Sequence, residues 1–257
     1  MRMFRFLGLV SVLLISCLCF AGDEDVLFQV STIGALLQGC YDGEVTFAEL
    51  ARHGDFGLGT FNAVDGEMIA VDGDYYRVRA DGQVAAVSDA CKTPFAAVTF
   101  FESDKTITLD REVDYQGLQD YIDGQLATEN IFYAIRIEGF FKYIKARSIP
   151  AQQKPYPPLV SVVENQSAFF EFHNVEGILA GFRCPGYVKE INVPGYHLHF
   201  ITEDRKAGGH LLECLTGKVK IDIDYTAKLF LHLPASREFY LMDLNSQKKG
   251  ALEKVER

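Results

Sequence analysis

Alternation of polar and apolar residues with a period of two recurs along this chain and constrains its fold more than any other feature. It is clearest in Tyr76 to Arg79 and in Lys218 to Asp224, where charged residues alternate with tyrosine, valine or isoleucine. Successive side chains of a β-strand point to opposite faces, so this pattern predicts strands with one buried face. Glycine, aspartate and asparagine separate the apolar stretches, as they do at turns. The chain is therefore predicted to be rich in β-sheet.

Helical patterns are fewer. Thr46 to Arg52 begins with a threonine cap that is followed three residues later by Glu49. Asp114 to Leu126 places apolar residues four apart, on one face of a helix. A few helices packed on sheets, without regular alternation of strands and helices, predict an α+β fold.

A proline-rich segment from Ser148 to Ser161 holds four of the eight prolines. Neither a helix nor a central strand tolerates this composition, so the segment is predicted to be an extended connector. It divides the chain into an N-terminal β-rich half, residues 22–150, and a C-terminal half, residues 151–257, each large enough for its own core. A long crossing loop within one domain is the alternative.

The first 21 residues have the layout of a secretory signal peptide. Two arginines precede an apolar run from Leu7 to Phe20, and the small residue Ala21 stands before an acidic stretch. The run is short for the roughly 20 residues of a membrane-spanning helix. We therefore predict cleavage and export, to the periplasm or the medium. Processing as a lipoprotein with a lipid anchor at Cys17 is the alternative.

The acidic composition argues against one class of partner. Lys and Arg number 25 against 35 Asp and Glu, a formal net charge of −10 that becomes −12 when removal of residues 1–21 takes away two arginines. Proteins that gain affinity by neutralising phosphates carry the opposite sign, so no nucleic acid partner is expected. The remaining cysteines are too widely spaced for a zinc–thiolate or redox motif and are interpreted as buried small residues: Cys40, Cys91, Cys184 and Cys214.

Three of the six histidines lie within fourteen residues: His197, His199 and His210. On a strand, His197 and His199 point to one face and the apolar residue between them to the other. A polar loop ending in Gly208-Gly209 allows the chain to reverse and return His210 on a neighbouring strand. Three neutral imidazoles suit Zn²⁺ and leave coordination positions for a substrate. The isolated histidines are interpreted as structural: His53, His173 and His232.

The histidine spacing taken alone also fits another family. His197-x-His199-x₃-Glu203 matches the metal motif of cupin barrels, in which the glutamate is a further ligand. Two glycines of that motif are replaced here by Ile191 and His210, so the match is incomplete. A cupin-like metal oxygenase using iron is one alternative function, and a non-catalytic metal-dependent binding protein is another.

Longer segments favour a different family. In their order along essentially the whole mature chain, they resemble the α-acetolactate decarboxylases: Phe28 to Leu37, Gly57 to Asn62, Asp65 to Met68, Lys154 to Leu159, and Gly195 to His210. The resemblance implies zinc-dependent decarboxylation of 2-acetolactate, a small anionic substrate, to acetoin and CO₂. It also implies an α+β fold of two β-sheet-rich halves with mixed sheets and few helices, the zinc site in a cleft, and a homodimer.

The resemblance assigns roles to individual residues. His197, His199 and His210 correspond to the zinc ligands, and Thr60 is a candidate hydroxyl near them. Glu67, Arg147 and Glu256 correspond to the active-site carboxylates and arginine, with Glu253 one helical turn from Glu256 near the chain end. Loss of CO₂ leaves an enediolate, whose charge a zinc ion stabilises as a Lewis acid. An arginine suits the orientation of the anionic substrate, and a carboxyl group or the arginine suits delivery of a proton.

Overall fold

A computed structural model describes residues 25–245 and 250–256 of the chain. The predicted signal peptide and the lipid-anchor position Cys17 lie outside the described residues. Within them, no helix combines the length and the apolar character needed to cross a membrane.

The described residues form fourteen strands: β1 (Val26–Val30), β2 (Val45–Thr46), β3 (Phe56–Thr60), β4 (Glu67–Val71), β5 (Asp74–Val78), β6 (Val84–Ala86), β7 (Lys92–Thr93), β8 (Ala96–Thr99), β9 (Lys105–Asp110), β10 (Phe132–Ser148), β11 (Ala168–Cys184), β12 (Gly195–Thr202), β13 (Gly208–Thr226) and β14 (Lys228–His232). Over the same residues there are six α-helices: α1 (Ile33–Leu37), α2 (Phe47–Leu50), α3 (Tyr115–Asp123), α4 (Leu159–Gln166), α5 (Arg237–Leu241) and α6 (Ala251–Glu256). Short 3₁₀ turns cover Asn62–Val64 and Gly186–Val188.

Two large sheets organise the described residues. The seven-stranded sheet has the order β14-β1-β8-β3-β4-β5-β6 and is mixed, because β14 runs parallel to β1 whereas the other pairs are antiparallel. The five-stranded sheet has the order β10-β11-β12-β13-β9 and is antiparallel. A further pairing of β10 with β13 closes a circuit of four strands. Strands β2 and β7 form a separate small sheet. The predicted α+β class, with a mixed sheet and few helices, is confirmed.

Each large sheet takes strands from both sides of residue 150. Strand β10 ends at Ser148 and pairs along nearly its whole length with β11, so the two make one long antiparallel hairpin. Strand β14, near the end of the chain, joins the sheet of β1. The division predicted at residue 150 therefore does not coincide with the division into sheets, because hydrogen bonding joins strands from the two parts of the chain.

Apolar side chains join the two large sheets face to face. Leu58 and Ile69 of the seven-stranded sheet pack in one buried cluster with Phe182 and Ile201 of the five-stranded sheet. The opposite face of the five-stranded sheet packs against α3 through Leu118 and other buried residues. Burying these side chains is the main stabilisation of such an arrangement. The site residues described below lie between the sheets, beside this core.

The predicted strands and helices are present, with differences in detail. Asp222 and Asp224 occupy the polar face of the alternating segment in β13 yet are buried; Asp222 accepts a hydrogen bond from Thr106 Oγ1 at 2.6 Å. Thr46 caps α2, and Asp114 caps α3, each by accepting a hydrogen bond from a backbone N–H three residues on. Asp222 and Asp224 can be buried because each carboxylate accepts a hydrogen bond.

The connector between Ser148 and Ser161 was predicted to contain no helix, which is wrong at its end. Helix α4 begins at Leu159, and Pro158 is the residue that precedes it. A proline is compatible with a helix start because the first N–H groups of a helix have no partner within the helix. The four described cysteines are free, and all but the half-buried Cys91 are buried, as expected for small apolar residues.

Candidate metal centre and active-site cavity

Three histidine side chains meet on one face of the five-stranded sheet. His197 and His199 alternate along β12, and His210 lies opposite His199 in the register of β12 with β13. Their ring centroids are 5.1 to 5.3 Å apart, and all three side chains are buried. The strand alternation and the return of His210 on a neighbouring strand are as expected from the sequence.

The Gly208-Gly209 pair has a different role from the predicted one. The chain reverses in residues 203–207, whereas both glycines already belong to β13. Gly209 has φ +146°, and a Cβ there would lie 2.6 Å from the carbonyl oxygen of Arg147 on β10. Glycine is needed because β10 and β13 approach closely at this point, where a side chain would collide with backbone. The close approach brings His210 beside Arg147, its register partner.

The imidazole nitrogens are arranged as metal ligands. One ligand nitrogen from each histidine lies within 4.8 Å of the others. His199 Nδ1 is 2.9 Å from the carbonyl oxygen of Met68, which can only accept, so Nδ1 carries the proton and Nε2 keeps its lone pair. His199 Nε2 is 3.3 Å from His210 Nδ1. Two nitrogens bound tetrahedrally to zinc at about 2.0–2.1 Å stand about 3.3 Å apart, so this spacing fits a zinc ion.

Burial keeps the three imidazoles in the neutral form that binds metal. It lowers the pKa of His197 to about 3, with a further contribution from the positive charge of Arg147. Burial likewise holds the pKa values of His199 and His210 well below the ordinary value of 6.5. His197 Nδ1 is buried without a hydrogen-bond partner in the described part of the chain. A buried polar atom of this kind points to a missing partner such as an ion.

Two carboxylates lie beside the histidines. Glu67 Oε2 is 3.7 Å from His199 Nε2. Glu256 Oε2 is 3.7 Å from His197 Nε2 and 3.9 Å from His210 Nε2. Burial raises the pKa of each carboxyl group to about 7, although the nearby charge of Arg147 acts in the opposite direction. Both groups can therefore hold or release a proton near neutral pH.

Arg147 connects these carboxylates. Its Nη2 donates a hydrogen bond to the backbone carbonyl of Val255, the residue before Glu256. Its Nη1 lies 3.7 Å from Glu67 Oε1, and its Nε has no hydrogen-bond partner within the described residues. The guanidinium is 4% exposed, so its charge acts on its neighbours with little screening by water. Part of its hydrogen-bonding capacity is therefore left for a ligand.

Strand pairing places the remaining predicted residues. Thr60 at the end of β3 lies opposite Glu67 at the start of β4, and the Thr60 hydroxyl donates to the carbonyl oxygen of Gly66 at 2.8 Å. This bond ties the turn between the strands to the position of Glu67. Thr60 is thus placed at the site with its hydroxyl proton already engaged by the backbone.

One cavity is lined by all seven residues that the resemblance assigned to the site: Thr60, Glu67, Arg147, His197, His199, His210 and Glu256. Its remaining wall is largely apolar: Ile33, Leu36, Val64, Phe95, Ile149, Leu159 and Val255. Sequence reasoning missed this wall, because apolar residues from separate elements carry no spacing signal. The Met68 carbonyl that orients His199 was also missed, because every residue has a backbone carbonyl and the sequence does not mark this one.

Residues that other interpretations of the sequence needed lie elsewhere. Glu203, the further ligand in a cupin-like site, is exposed, and its backbone N–H donates to the carbonyl of Glu176. His53 stacks on Phe28, with ring centroids 3.8 Å apart. These residues do not line the cavity, and neither do His173 and His232. Glu253 is exposed, so Glu256 is the carboxylate that α6 presents to the histidines.

Comparison with known proteins identifies the family of this chain. The family model described as alpha-acetolactate decarboxylase matches residues 27–246. An alpha-acetolactate decarboxylase of Methanosarcina mazei is 51% identical over 234 residues, which cover 91% of this chain and 81% of that protein. This chain belongs to the alpha-acetolactate decarboxylase family. The family resemblance inferred from the sequence is confirmed.

Further alpha-acetolactate decarboxylases support the assignment. The protein of that name from Bacillus subtilis is 40% identical over 220 residues, 86% of each chain. A crystal structure of alpha-acetolactate decarboxylase from B. subtilis strain 168 has a TM-score of 0.87 and 38% identity, and it covers 90% of this chain and 99% of that one. The family match ends at residue 246, before α6. The position of Glu256 is therefore an observation of this structure.

Proposed function

We propose that this protein converts 2-acetolactate into acetoin and CO₂, with a zinc ion held by His197, His199 and His210. One observation carries the proposal: a single buried cavity collects three neutral imidazoles, two carboxyl groups and an arginine in a member of the alpha-acetolactate decarboxylase family. The spacing of His199 Nε2 and His210 Nδ1 and the unpartnered Nδ1 of His197 support a zinc ion at this site. When bound, the ion supplies Lewis-acid stabilisation of the negative charge that develops as CO₂ leaves.

Arg147 binds the anionic substrate. Its Nε and Nη1 groups are the donors left after Nη2 has bonded to Val255, and a guanidinium can hold a carboxylate through two parallel hydrogen bonds. The same residue is close to both carboxyl groups, because its Nη1 is 3.7 Å from Glu67 Oε1 and its Nη2 is bonded to the residue before Glu256. It therefore orients the substrate relative to both carboxyl groups.

The two carboxyl groups hold the proton that the reaction consumes. Decarboxylation leaves an enediolate, and acetoin forms when a proton reaches one of its carbons. A general acid is most effective when its pKa is near the working pH, and burial raises the pKa values of both Glu67 and Glu256 to about 7. The carboxyl groups lie beside different histidines, Glu67 beside His199 and Glu256 beside His197 and His210, and delivery of the proton from one fixed position gives one enantiomer.

The apolar wall keeps bulk water from the reacting atoms. Phe95, Ile149 and Leu159 line the cavity and are at most 4% exposed. Exclusion of water strengthens the interaction of Arg147 with an anion, because the local dielectric constant falls. It also prevents unspecific protonation of the enediolate, which would yield racemic acetoin.

The test combines metal analysis with product analysis. The metal content of the protein as purified is measured by mass spectrometry, and acetoin formation from 2-acetolactate by the zinc-loaded protein is followed by a colour assay. We expect one zinc ion per chain and rapid formation of acetoin in one enantiomeric form. Stoichiometric zinc without acetoin, in an assay in which the B. subtilis enzyme is active, would leave a metal-dependent binding protein instead. Iron in place of zinc would contradict the proposed cofactor.

We further propose export and pairing of two copies. Export rests on the first 21 residues of the sequence, and an intact mass that begins at Gly22 or at a lipidated Cys17 distinguishes secretion from anchoring. Pairing is supported by β14, the end strand of the seven-stranded sheet, whose Phe230 is 55% exposed, and by Leu233 directly after it, which is 49% exposed. Apolar residues at an end strand suit association. Analytical ultracentrifugation of the wild type and of Phe230→Glu tests this pairing. We expect a dimeric wild type and a weakened dimer in the variant, and a monomeric wild type would contradict the proposal.

A further inference from the structure

Helix α6 carries Glu256 but is too short to hold it in place unaided. It comprises six residues, Ala251–Glu256, and isolated helices of this length are not stable in water. The Glu256 carboxylate nevertheless has a defined place, within 4 Å of two imidazoles. Its position must therefore depend on the contacts that α6 makes with the rest of the protein.

Several contacts hold α6. Val255 is 3% exposed and packs in a buried cluster with Ile33 of α1 and Leu159 of α4, and Ala251 and Leu252 are partly buried against the same cluster. The carbonyl oxygen of Val255 accepts the hydrogen bond from Arg147 Nη2. On the outer side, Lys254 Nζ is 2.7 Å from Glu164 Oε1 of α4. The apolar contacts and the hydrogen bond from Arg147 hold the inner side of the helix, whereas the ion pair ties its exposed side to α4.

The orientation of α6 matters because the helix forms a wall. Val255 and Glu256 line the active-site cavity, and Gly250, Leu252 and Glu253 line a second, larger groove. Glu256 lines both spaces. A tilt of α6 would move the Glu256 carboxylate away from the imidazoles and admit groove water to the cavity.

We propose that Glu164 and Lys254 are positioning residues of the active site, which together with Val255 orient α6 so that the Glu256 carboxylate lies beside His197 and His210. Neither side chain lines the cavity, and the two are 48% and 62% exposed. They act through Glu256 and not on the substrate. The inference rests on the proposed function, because its kinetic readout is acetoin formation.

The test is a charge swap. Glu164→Lys places two positive charges against each other, and Lys254→Glu places two negative ones. We expect each single variant to lower kcat about three- to tenfold, corresponding to loss of an exposed ion pair and its replacement by repulsion. KM and zinc content stay unchanged, because Arg147 and the histidines are untouched. The double variant Glu164→Lys/Lys254→Glu restores the pair with reversed polarity and returns kcat to within about twofold of the wild type.

Amide hydrogen exchange provides a readout that does not depend on activity. Residues 251–256 should exchange faster in each single variant and regain protection in the double variant. The matched control is Glu49→Lys, which breaks an exposed ion pair with Arg52 at 2.9 Å outside the cavity lining and should change neither measurement. Wild-type kcat and exchange in both single variants, or a double variant that is not rescued, would overturn the inference. A wild type that makes no acetoin would contradict the proposed function. Hydrogen exchange would then still show whether the ion pair between Glu164 and Lys254 orients α6.

Discussion

Replacement of Arg147 by methionine tests the proposed substrate site most directly. Methionine keeps the unbranched shape and apolar stem but removes the charge and all donors. Nη1 is 3.7 Å from Glu67, too far for a hydrogen bond, and Nε has no partner among the described residues, so two donor groups are left for the substrate. A hydrogen bond to a charged group contributes about 1.5–3 kcal/mol, so two contribute about 3–6 kcal/mol. We expect kcat/KM to fall by about 10²- to 10⁴-fold.

The assay is initial-rate acetoin formation over a range of 2-acetolactate concentrations, with zinc content measured on the same samples. Arg136→Met is the matched control, because Arg136 lies on the same strand and forms ion pairs with Asp72 and Glu138 outside the cavity lining. It should leave kcat/KM within about twofold of the wild type. Full zinc content in Arg147→Met together with an unchanged kcat/KM would refute the assignment of substrate binding to Arg147.

Three further predictions concern the metal, a carboxyl group and stability. His199→Ala should lose zinc and lower kcat by at least about 10³-fold, whereas the isolated His173→Ala should retain both; zinc retained in His199→Ala would exclude that ligand. Glu67→Gln keeps the shape of the side chain but cannot exchange a proton, so kcat should fall about 10²-fold or more. The plot of kcat against pH should also lose the change near pH 7 that titration of Glu67 causes in the wild type. Burial raises the pKa of Asp224 to about 7 from an ordinary 3.8, so its folded form binds a proton more tightly than the unfolded form, and this contribution to stability is lost as pH rises from about 4 to 7. The melting temperature of Asp224→Asn should therefore rise relative to that of the wild type as pH increases from about 4 to 7. A difference between the two melting temperatures that does not change with pH would contradict the assignment.

The β-rich fold was predictable because its signal is local. Alternation with a period of two identifies a strand without knowledge of its neighbours, and the caps at Thr46 and Asp114 mark helix starts within three residues. Strand order is not local. The parallel pairing of β1 with β14 joins residues about 200 positions apart, and no feature of Val26–Val30 specifies that partner. The helix that starts after Pro158 was missed because a proline-rich composition was interpreted as extended chain throughout.

The same distinction applies to the site. His197 and His199 could be placed on one face from alternation alone, and His210 on a neighbouring strand from the length of the intervening loop. Glu67 and Glu256 could not be linked to them in this way. Glu67 reaches His199 from the other sheet, and Glu256 arrives on a helix that is held by tertiary contacts. Only the resemblance of longer segments to a known family identified them, because their proximity is set by sheet packing.

The charge of the chain illustrates why composition and site must be considered separately. A net charge of −10 disfavours an anionic substrate at a distance, but salt screens that repulsion beyond about 8–10 Å. Within the cavity the electrostatics are different. The imidazoles are neutral, and burial raises the pKa values of Glu67 and Glu256 to about 7, which lowers the negative charge facing the substrate. Arg147, the only lysine or arginine among the residues that line the cavity, therefore acts there against little opposing charge. Burial of the carboxyl groups thus serves two requirements at once, because it keeps protons available near neutral pH and lets an acidic protein bind an anion.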